Sequence, residues 1–274
     1  MRIRMDALSF TYPSGVRALE DIDLAIESGE IVAIVGENGA GKSTLVKQLN
    51  GLLRPSAGSV QIGDWDASEH STAQLAQRVG FLFQNPDEQL FERTVWREVA
   101  FGPRNLGLAP EEVEAQVWAA LERVGLAAMA ESHPYDLPHT QRKLIALAAT
   151  LAMNTPIIVL DEPTVGQDAL QQAAIAALLA DLQAKGCTLI LITHDLDFCA
   201  EVAERVVVMA GGRILADGPT EEVLTRAALL NKAAVEAPQI VRLAQALEMP
   251  SAPLTIPGFV EEYADWKTTK DARK

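Results

Sequence analysis

Hydrophobic and polar positions follow two rhythms along this chain. Through residues 1–27 they alternate, first in MRIRMDALSFTY and then in ALEDIDLAIE, the period of strands that keep one face wet. Between these segments Pro13, Ser14 and Gly15 supply turn chemistry, so FTYPSGVRAL reads as a hairpin. From residue 31 onward the apolar runs become short and unbroken: IVAIV (31–35), VGFLF (79–83), IIVL (157–160), TLILI (188–192) and VVVMA (206–210). Helical patterns separate them, one starting near Lys42 and others at about 111–124, 141–153 and 169–185. Apolar strands alternating with helices predict a mostly parallel sheet covered on both faces. The expected fold class is therefore α/β, with an N-terminal antiparallel β part. Residues 64–153 are poorer in strand and richer in helix, which predicts a helical insertion between the halves of the sheet. The segment after about 225, with prolines at 238, 250, 253 and 257, predicts a small helical appendage. No internal repeat or low-complexity linker stands out.

Composition narrows the function classes. None of the apolar runs approaches the roughly 20 residues that span a bilayer, and the first residues lack the apolar core of a signal peptide. A cytoplasmic protein is expected. Twenty-three basic against 37 acidic residues give a formal charge of −14, with no cluster of Lys and Arg. Phosphate-backbone binding needs such a cluster, so no nucleic-acid partner is expected. Cys187 and Cys199 show no metal-ligand spacing and are expected to be buried, reduced thiols.

The candidate chemistry begins at GENGAGKST, between the first continuous apolar strand and a helix. The pattern G-x-x-x-x-G-K-[ST] in that setting is a phosphate-binding loop. Gly36, Glu37, Asn38, Gly39, Ala40, Gly41, Lys42, Ser43 and Thr44 are its candidate nucleotide-binding residues. The glycines let successive backbone N–H groups point at phosphate oxygens, Lys42 brings a mobile positive charge, and the Ser43 hydroxyl suits Mg²⁺. IIVLDEP (157–163) delivers two carboxylates at the end of a buried strand. Asp161 is the candidate Mg²⁺ carboxylate and Glu162 the candidate acceptor of a proton from the attacking water. TLILIT carries His194 to the same sheet edge, as a contact to the γ-phosphate that keeps water and base in place.

Taken together and in this order, these residues resemble the ATP-binding cassette ATPases over residues 1 to about 225. The resemblance implies a P-loop NTPase cassette with a helical subdomain at about 85–153 and a C-terminal extension over 226–274. It implies that Tyr12 stacks on adenine, and that Gln84 touches Mg²⁺ and the attacking water and senses a transmembrane partner. It also implies that TVGQD (164–168) crosses between two cassettes through Asp168, although Gln167 replaces a usual leucine. FQNPDEQLFERTVWREVAFGPRNLGL (83–108) looks very like the ATPases of energy-coupling-factor importers and their cobalt and nickel relatives. The cassette resemblance implies ATP and Mg²⁺ as cofactors, and this narrower likeness a place as a peripheral protein on the cytoplasmic face of the membrane. It further implies a second ATPase subunit, an integral membrane scaffold and a substrate-binding membrane subunit as partners. Uptake of a vitamin or a transition metal ion is the implied task. In such systems coupling helices carry Arg, which makes Asp87, Glu88, Glu92 and Glu98 candidate acceptors.

One stretch departs from the family pattern. LPHTQ (137–141) stands where the family has Leu-Ser-Gly-Gly-Gln: Leu137 and Gln141 match, while Pro138, His139 and Thr140 do not. In the family that serine and those glycines bind the γ-phosphate held by the opposite cassette. Proline has neither hydroxyl nor N–H, and a β-branched Thr crowds a close backbone approach. Thr140 is expected to cap a helix beginning at Gln141. A homodimer would then present two poor signatures, whereas a heterodimer with an ordinary cassette would keep one competent site.

Overall fold

The computed structural model describes residues 1–271. The chain opens with strands β1 (Ile3–Thr11) and β2 (Arg17–Ile26), antiparallel across the Tyr12–Val16 turn. β3 (Ile31–Val35) leads through the glycine-rich loop into α1 (Lys42–Val46), and β4 (Ala57–Ile62) and β5 (Trp65–Asp66) return to the hairpin. Then come α2 (Thr72–Leu75), β6 (Val79–Leu82), α3 (Val95–Asn105), α4 (Pro110–Arg123), α5 (His139–Ala152), β7 (Ile157–Asp161) and α6 (Ala169–Ala184). β8 (Thr188–Ile192), α7 (Leu196–Val202), β9 (Arg205–Ala210) and β10 (Arg213–Pro219) complete the sheets. Helices α8 (Thr220–Leu224), α9 (Ala227–Lys232), α10 (Gln239–Ala246) and α11 (Ile256–Asp271) follow.

Two sheets result. One is antiparallel in the order β2-β1-β4-β5; the other runs β10-β9-β3-β8-β7-β6, parallel from β9 to β6 with β10 antiparallel at its edge. Successive residues of a strand face opposite sides, and the unbroken apolar runs use both. On β3, Ile31, Ala33 and Val35 join the core under the helices, while Val32 and Ile34 join the core under the antiparallel sheet. On β7, Ile158 and Leu160 take the first side, and Ile157 and Val159 the second. Each fully buried Val, Ile or Leu among them stabilises the fold by about 1.5–3 kcal/mol, which fixes the register. A slip of one residue would exchange the two faces. The antiparallel sheet has four strands because β4 (AGSVQI) pairs along β1, a strand absent from the sequence-based expectation for the first sheet. Leu230, Ala233 and Val241, on and just after α9 and on α10, pack into the same core as the helices.

Two sequence-based expectations are corrected. α5 begins at His139, with Pro138 as its N-cap and no side-chain capping bond, so Thr140 is not the cap. Proline's fixed φ suits a helix start, and the helix begins as early as that constraint allows. Glu98 is not a surface acceptor either. It is buried, and its Oε2 accepts from the amides of Phe91 (2.8 Å) and Glu92 (2.7 Å). Burial pushes its carboxyl up, against those two amide bonds. Glu98→Ala would strand both amides and is expected to destabilise the protein by about 1–3 kcal/mol, read as a lower midpoint in denaturant; an unchanged midpoint would show that the two bonds are replaceable by water. The two cysteines are free and buried, as expected, and burial pushes their thiols up, Cys187 to about 11 and Cys199 to about 12.

Candidate active site

Parallel strands end at one edge of a sheet, and the groups that follow them meet there. Leu82 pairs with Leu160, Asp161 with Ile192, and Ile34 with Ile192, so the carboxyl ends of β6, β7, β8 and β3 lie level. Beyond them come Gln84, Glu162, His194 and the glycine-rich loop.

The loop is held tightly from below. A Cβ at Gly36, whose φ is 152°, would sit 2.1 Å from the Met209 carbonyl oxygen, and one at Gly41 (φ 101°) 2.6 Å from that of Ala18. Only glycine fits either position. Lys42 is buried, and its ammonium donates to the carbonyls of Gly36 (2.7 Å) and Glu37 (2.8 Å). Burial lowers its pKa, partly offset by the charges of Glu162, Asp161 and Glu37. The amide of Glu37 donates to the carbonyl of Ala233, just beyond α9 (3.1 Å). A cavity of about 500 Å³ opens over the loop, lined by Asn38, Gly39, Gly41, Lys42, Ser43 and Thr44, by Tyr12 and Gln84, and by Val16, Arg17, Ala18, Gly211 and Gly212. Tyr12 packs edge-on against Phe10, and its hydroxyl shares a hydrogen bond with the Thr44 hydroxyl (2.9 Å). Ala40, within the loop, is buried, and its carbonyl accepts from the amide of Gly212.

Asp161 and Glu162 are both buried at the end of β7. Burial pushes the Asp161 carboxyl up, opposed first by a hydrogen bond from Ser43. Glu162 adopts φ 53°, the left-handed region that a β-carbon disfavours, and its amide donates to the Ile192 carbonyl (2.8 Å). Backbone strain of this kind concentrates at functional sites. One carboxylate oxygen of Glu162 lies 2.8 Å from His194 Nδ1, and the other is buried without a hydrogen-bond partner. The His194 ring is largely exposed beyond that bond. Among the described residues no cluster of His, Cys, Asp and Glu could enclose a metal ion. Mg²⁺ does not need one, since it keeps waters and substrate phosphates as ligands.

LPHTQ and the TVGQD loop touch. Gln167, which stands for a usual leucine, donates from Nε2 to the Thr140 carbonyl (3.1 Å), and Asp168 caps α6 by accepting from the Gln171 amide (2.9 Å). Two departures from the family pattern are thus in contact. Lys143, one turn into α5, was missed from sequence: it is buried, and its ammonium donates to the carbonyls of Phe83, Gln84 and Asp161. Its signal was a lysine on the helix face shared with Ala146, Leu147 and Thr150, all buried. Of the four carboxylates proposed to receive Arg, Asp87 already pairs with Arg142 (3.4 Å), while Glu88 and Glu92 make no ion pair among the described residues.

The family model described as ABC transporter matches residues 19–165. The energy-coupling factor transporter ATP-binding protein EcfA of Methanothermobacter thermautotrophicus is 41% identical over 95% of this chain and 84% of its own length. The protein of the same name from Methanocaldococcus jannaschii is 43% identical over 88% and 87%. Among solved structures, CbiO1 of Clostridium perfringens, described as part of the ABC transporter complex CbiONQ, superposes with a TM-score of 0.75 at 33% identity, covering 90% of this chain and 98% of its own. The dimeric cassette MJ0796, bound to ADP and phosphate, gives 0.73 at 27% identity over 80% and 98%. With the model running from before the phosphate loop to beyond Glu162, and relatives aligned over nearly the whole chain, this chain belongs to the ABC transporter family as one of its ATP-hydrolysing cassettes.

Proposed function

We propose that this chain is the ATP-hydrolysing subunit of an energy-coupling-factor importer for a vitamin or a transition metal ion. It is paired with a second cassette and docked on the cytoplasmic face of a membrane scaffold, beside a substrate-binding membrane subunit. The observation that carries the hydrolytic half is Glu162: a buried carboxylate held by His194 through one oxygen, with the other unpartnered at the sheet edge. That free oxygen accepts the proton of the attacking water. His194 keeps Glu162 oriented through Nδ1, and its Nε2 donates to the γ-phosphate when the ring carries both protons. Lys42 and the amides of residues 39–44 hold the phosphates, and Tyr12 faces the base. Ser43, Gln84 and Asp161 offer the hard oxygen donors that suit Mg²⁺, which neutralises charge on the β- and γ-phosphates when bound.

Support for the membrane half comes from the names of the relatives and from the surface formed by the segment after Gln84. There Phe91 (60% exposed) meets Phe101 (43%) edge to face at 4.7 Å, and Glu88 and Glu92 lie near Phe91 in sequence. Exposed aromatics beside unpaired carboxylates fit a helix that carries both apolar residues and Arg. Among the described residues no helix is long and apolar enough to cross a membrane.

LPHTQ supports the pairing. The first-turn amides of α5 remain free of intrahelical partners, but the serine hydroxyl is gone and exposed His139 and Thr140 side chains crowd the approach. A second cassette with an intact signature would complete the site on this chain. Co-expression with neighbouring genes and native mass measurement tests the assembly: the proposal expects this chain with a second cassette and membrane subunits, and recovery of the chain only with itself would overturn it. Charge reversal at both Glu88 and Glu92 is expected to lower scaffold recovery about tenfold or more while ATP affinity holds; recovery at wild-type level would remove the docking surface.

A further inference from the structure

The steps above make no use of Lys143. It is 1% exposed, and its ammonium donates to the backbone carbonyls of Phe83 (3.0 Å), Gln84 (2.6 Å) and Asp161 (3.1 Å). An ammonium has three donors, so this one is fully committed, and all three acceptors are main chain. Two of them lie where β6 runs out and the loop carrying Gln84 begins; the third is the last residue of β7. β6 and β7 are laddered only as far as Leu82 and Leu160. Past that point the ammonium takes over the ladder's role. It reaches there from α5, whose preceding residue, Arg142, pairs with Asp87 and lies over the Tyr135 ring, holding the same loop from outside. One turn of the signature helix therefore grips the Gln84 loop on two sides and the Asp161 strand end on one.

We propose that Lys143 is a positioning residue for ATP hydrolysis, which ties the Gln84 loop and the Asp161 strand end to each other and to the signature helix. The inference rests on Gln84, Asp161 and Glu162 being the hydrolytic set. Nucleotide binding depends on Tyr12 and residues 36–44, none of which Lys143 touches among the described hydrogen bonds. Its loss should therefore act on the chemical step and on the Mg²⁺-dependent part of binding, and spare the rest.

The test compares Lys143→Met, which keeps length and apolar contact but no donor, with Lys143→Arg, which keeps the cation. Both are measured in the assembly with the second cassette. For Lys143→Met, affinity for a fluorescent ATP analogue in Mg²⁺-free buffer should stay within about threefold. Its kcat should fall about 10²-fold, the usual cost of misplacing reacting groups by roughly an ångström. In a Glu162→Gln background, where turnover does not interfere, Mg²⁺ should no longer tighten analogue binding. Lys143→Arg should recover at least about tenfold of the lost kcat, as a retained donor set requires. A kcat for Lys143→Met within about threefold of wild type overturns the proposal, as does a parallel fall of Mg²⁺-free affinity and kcat, or an Arg variant no better than Met. Should Met not fold, Lys143→Leu, which likewise has no donor, replaces it in the same comparison; failure of all three to fold would overturn the proposal and assign Lys143 to folding alone. Glu162→Gln by itself separates the two levels. If that variant still turns over, the hydrolytic set is wrong, whereas an inactive Glu162→Gln beside a fully active Lys143→Met overturns only the role of Lys143.

Discussion

Glu162→Gln should stop ATP turnover and leave nucleotide bound. Glutamine keeps the length and planarity of the side chain, and its carbonyl oxygen can still accept from His194 Nδ1, so the 2.8 Å contact that orients the group survives. The change falls on the second oxygen, which is buried and without a partner. There an amide nitrogen replaces the oxygen proposed to take a proton from water. General-base catalysis by a positioned side chain supplies about 10²–10⁴ in rate, and the loss should reach at least the lower end of that range. ATP affinity depends on the loop of residues 36–44 and on Tyr12, and should hold within about threefold. Removing a buried negative charge 32 residues upstream of its histidine partner in sequence, yet in contact with it, also relieves repulsion with Asp161, so tighter rather than weaker binding is the direction to expect. Single-turnover hydrolysis and equilibrium nucleotide binding on the same preparation check both halves. Turnover within a few-fold of wild type would remove Glu162 as the base.

The second large effect concerns LPHTQ. Pro138→Ser, His139→Gly and Thr140→Gly together restore the signature's hydroxyl and clear the approach to the first amides of α5. Losing one preorganised donor to developing charge costs about 10²–10³ in rate, so the rebuilt chain, acting as its own partner, should hydrolyse ATP about 10²-fold faster than wild type alone. Two local costs oppose the gain. Proline's fixed φ at the N-cap is lost, and glycine at two first-turn positions costs up to about 1 kcal/mol each against alanine. The Gln167 bond is to the Thr140 carbonyl, a main-chain atom that glycine retains. Thermal melting alongside the rate measurement separates a helix that frays from a signature that does not matter: a stable rebuilt chain with an unchanged rate would show that LPHTQ already works.

How much of this was legible in the sequence depended on whether a feature was local. The phosphate loop is nine consecutive residues, and Asp161, Glu162 and His194 each end a continuous apolar run, so strand period and parallel topology sufficed to bring them to one edge. β4 was hidden because AGSVQI carries Gly58 and Ser59 at its start and becomes a strand only against β1. Glu98 was misread because an acid in the first turn of an amphipathic helix usually faces water; here the preceding loop folds back and spends two amides on it. Thr140 is not the cap because proline's constraint two residues earlier outweighs its capping preference. Lys143 and the Gln167–Thr140 contact join segments far apart in the chain, and no periodicity reports which carbonyls a buried ammonium will find.

The most direct test of the central claim, that this chain's own site hydrolyses ATP when a second cassette completes it, is the ATPase rate per chain as concentration is raised, alone and with an equimolar second cassette. The expected result is slow hydrolysis by the chain alone at every concentration, and fast hydrolysis with the partner that disappears when Glu162→Gln is placed in this chain only. Fast hydrolysis by the chain alone, or turnover in the pair that survives Glu162→Gln in this chain, would contradict it.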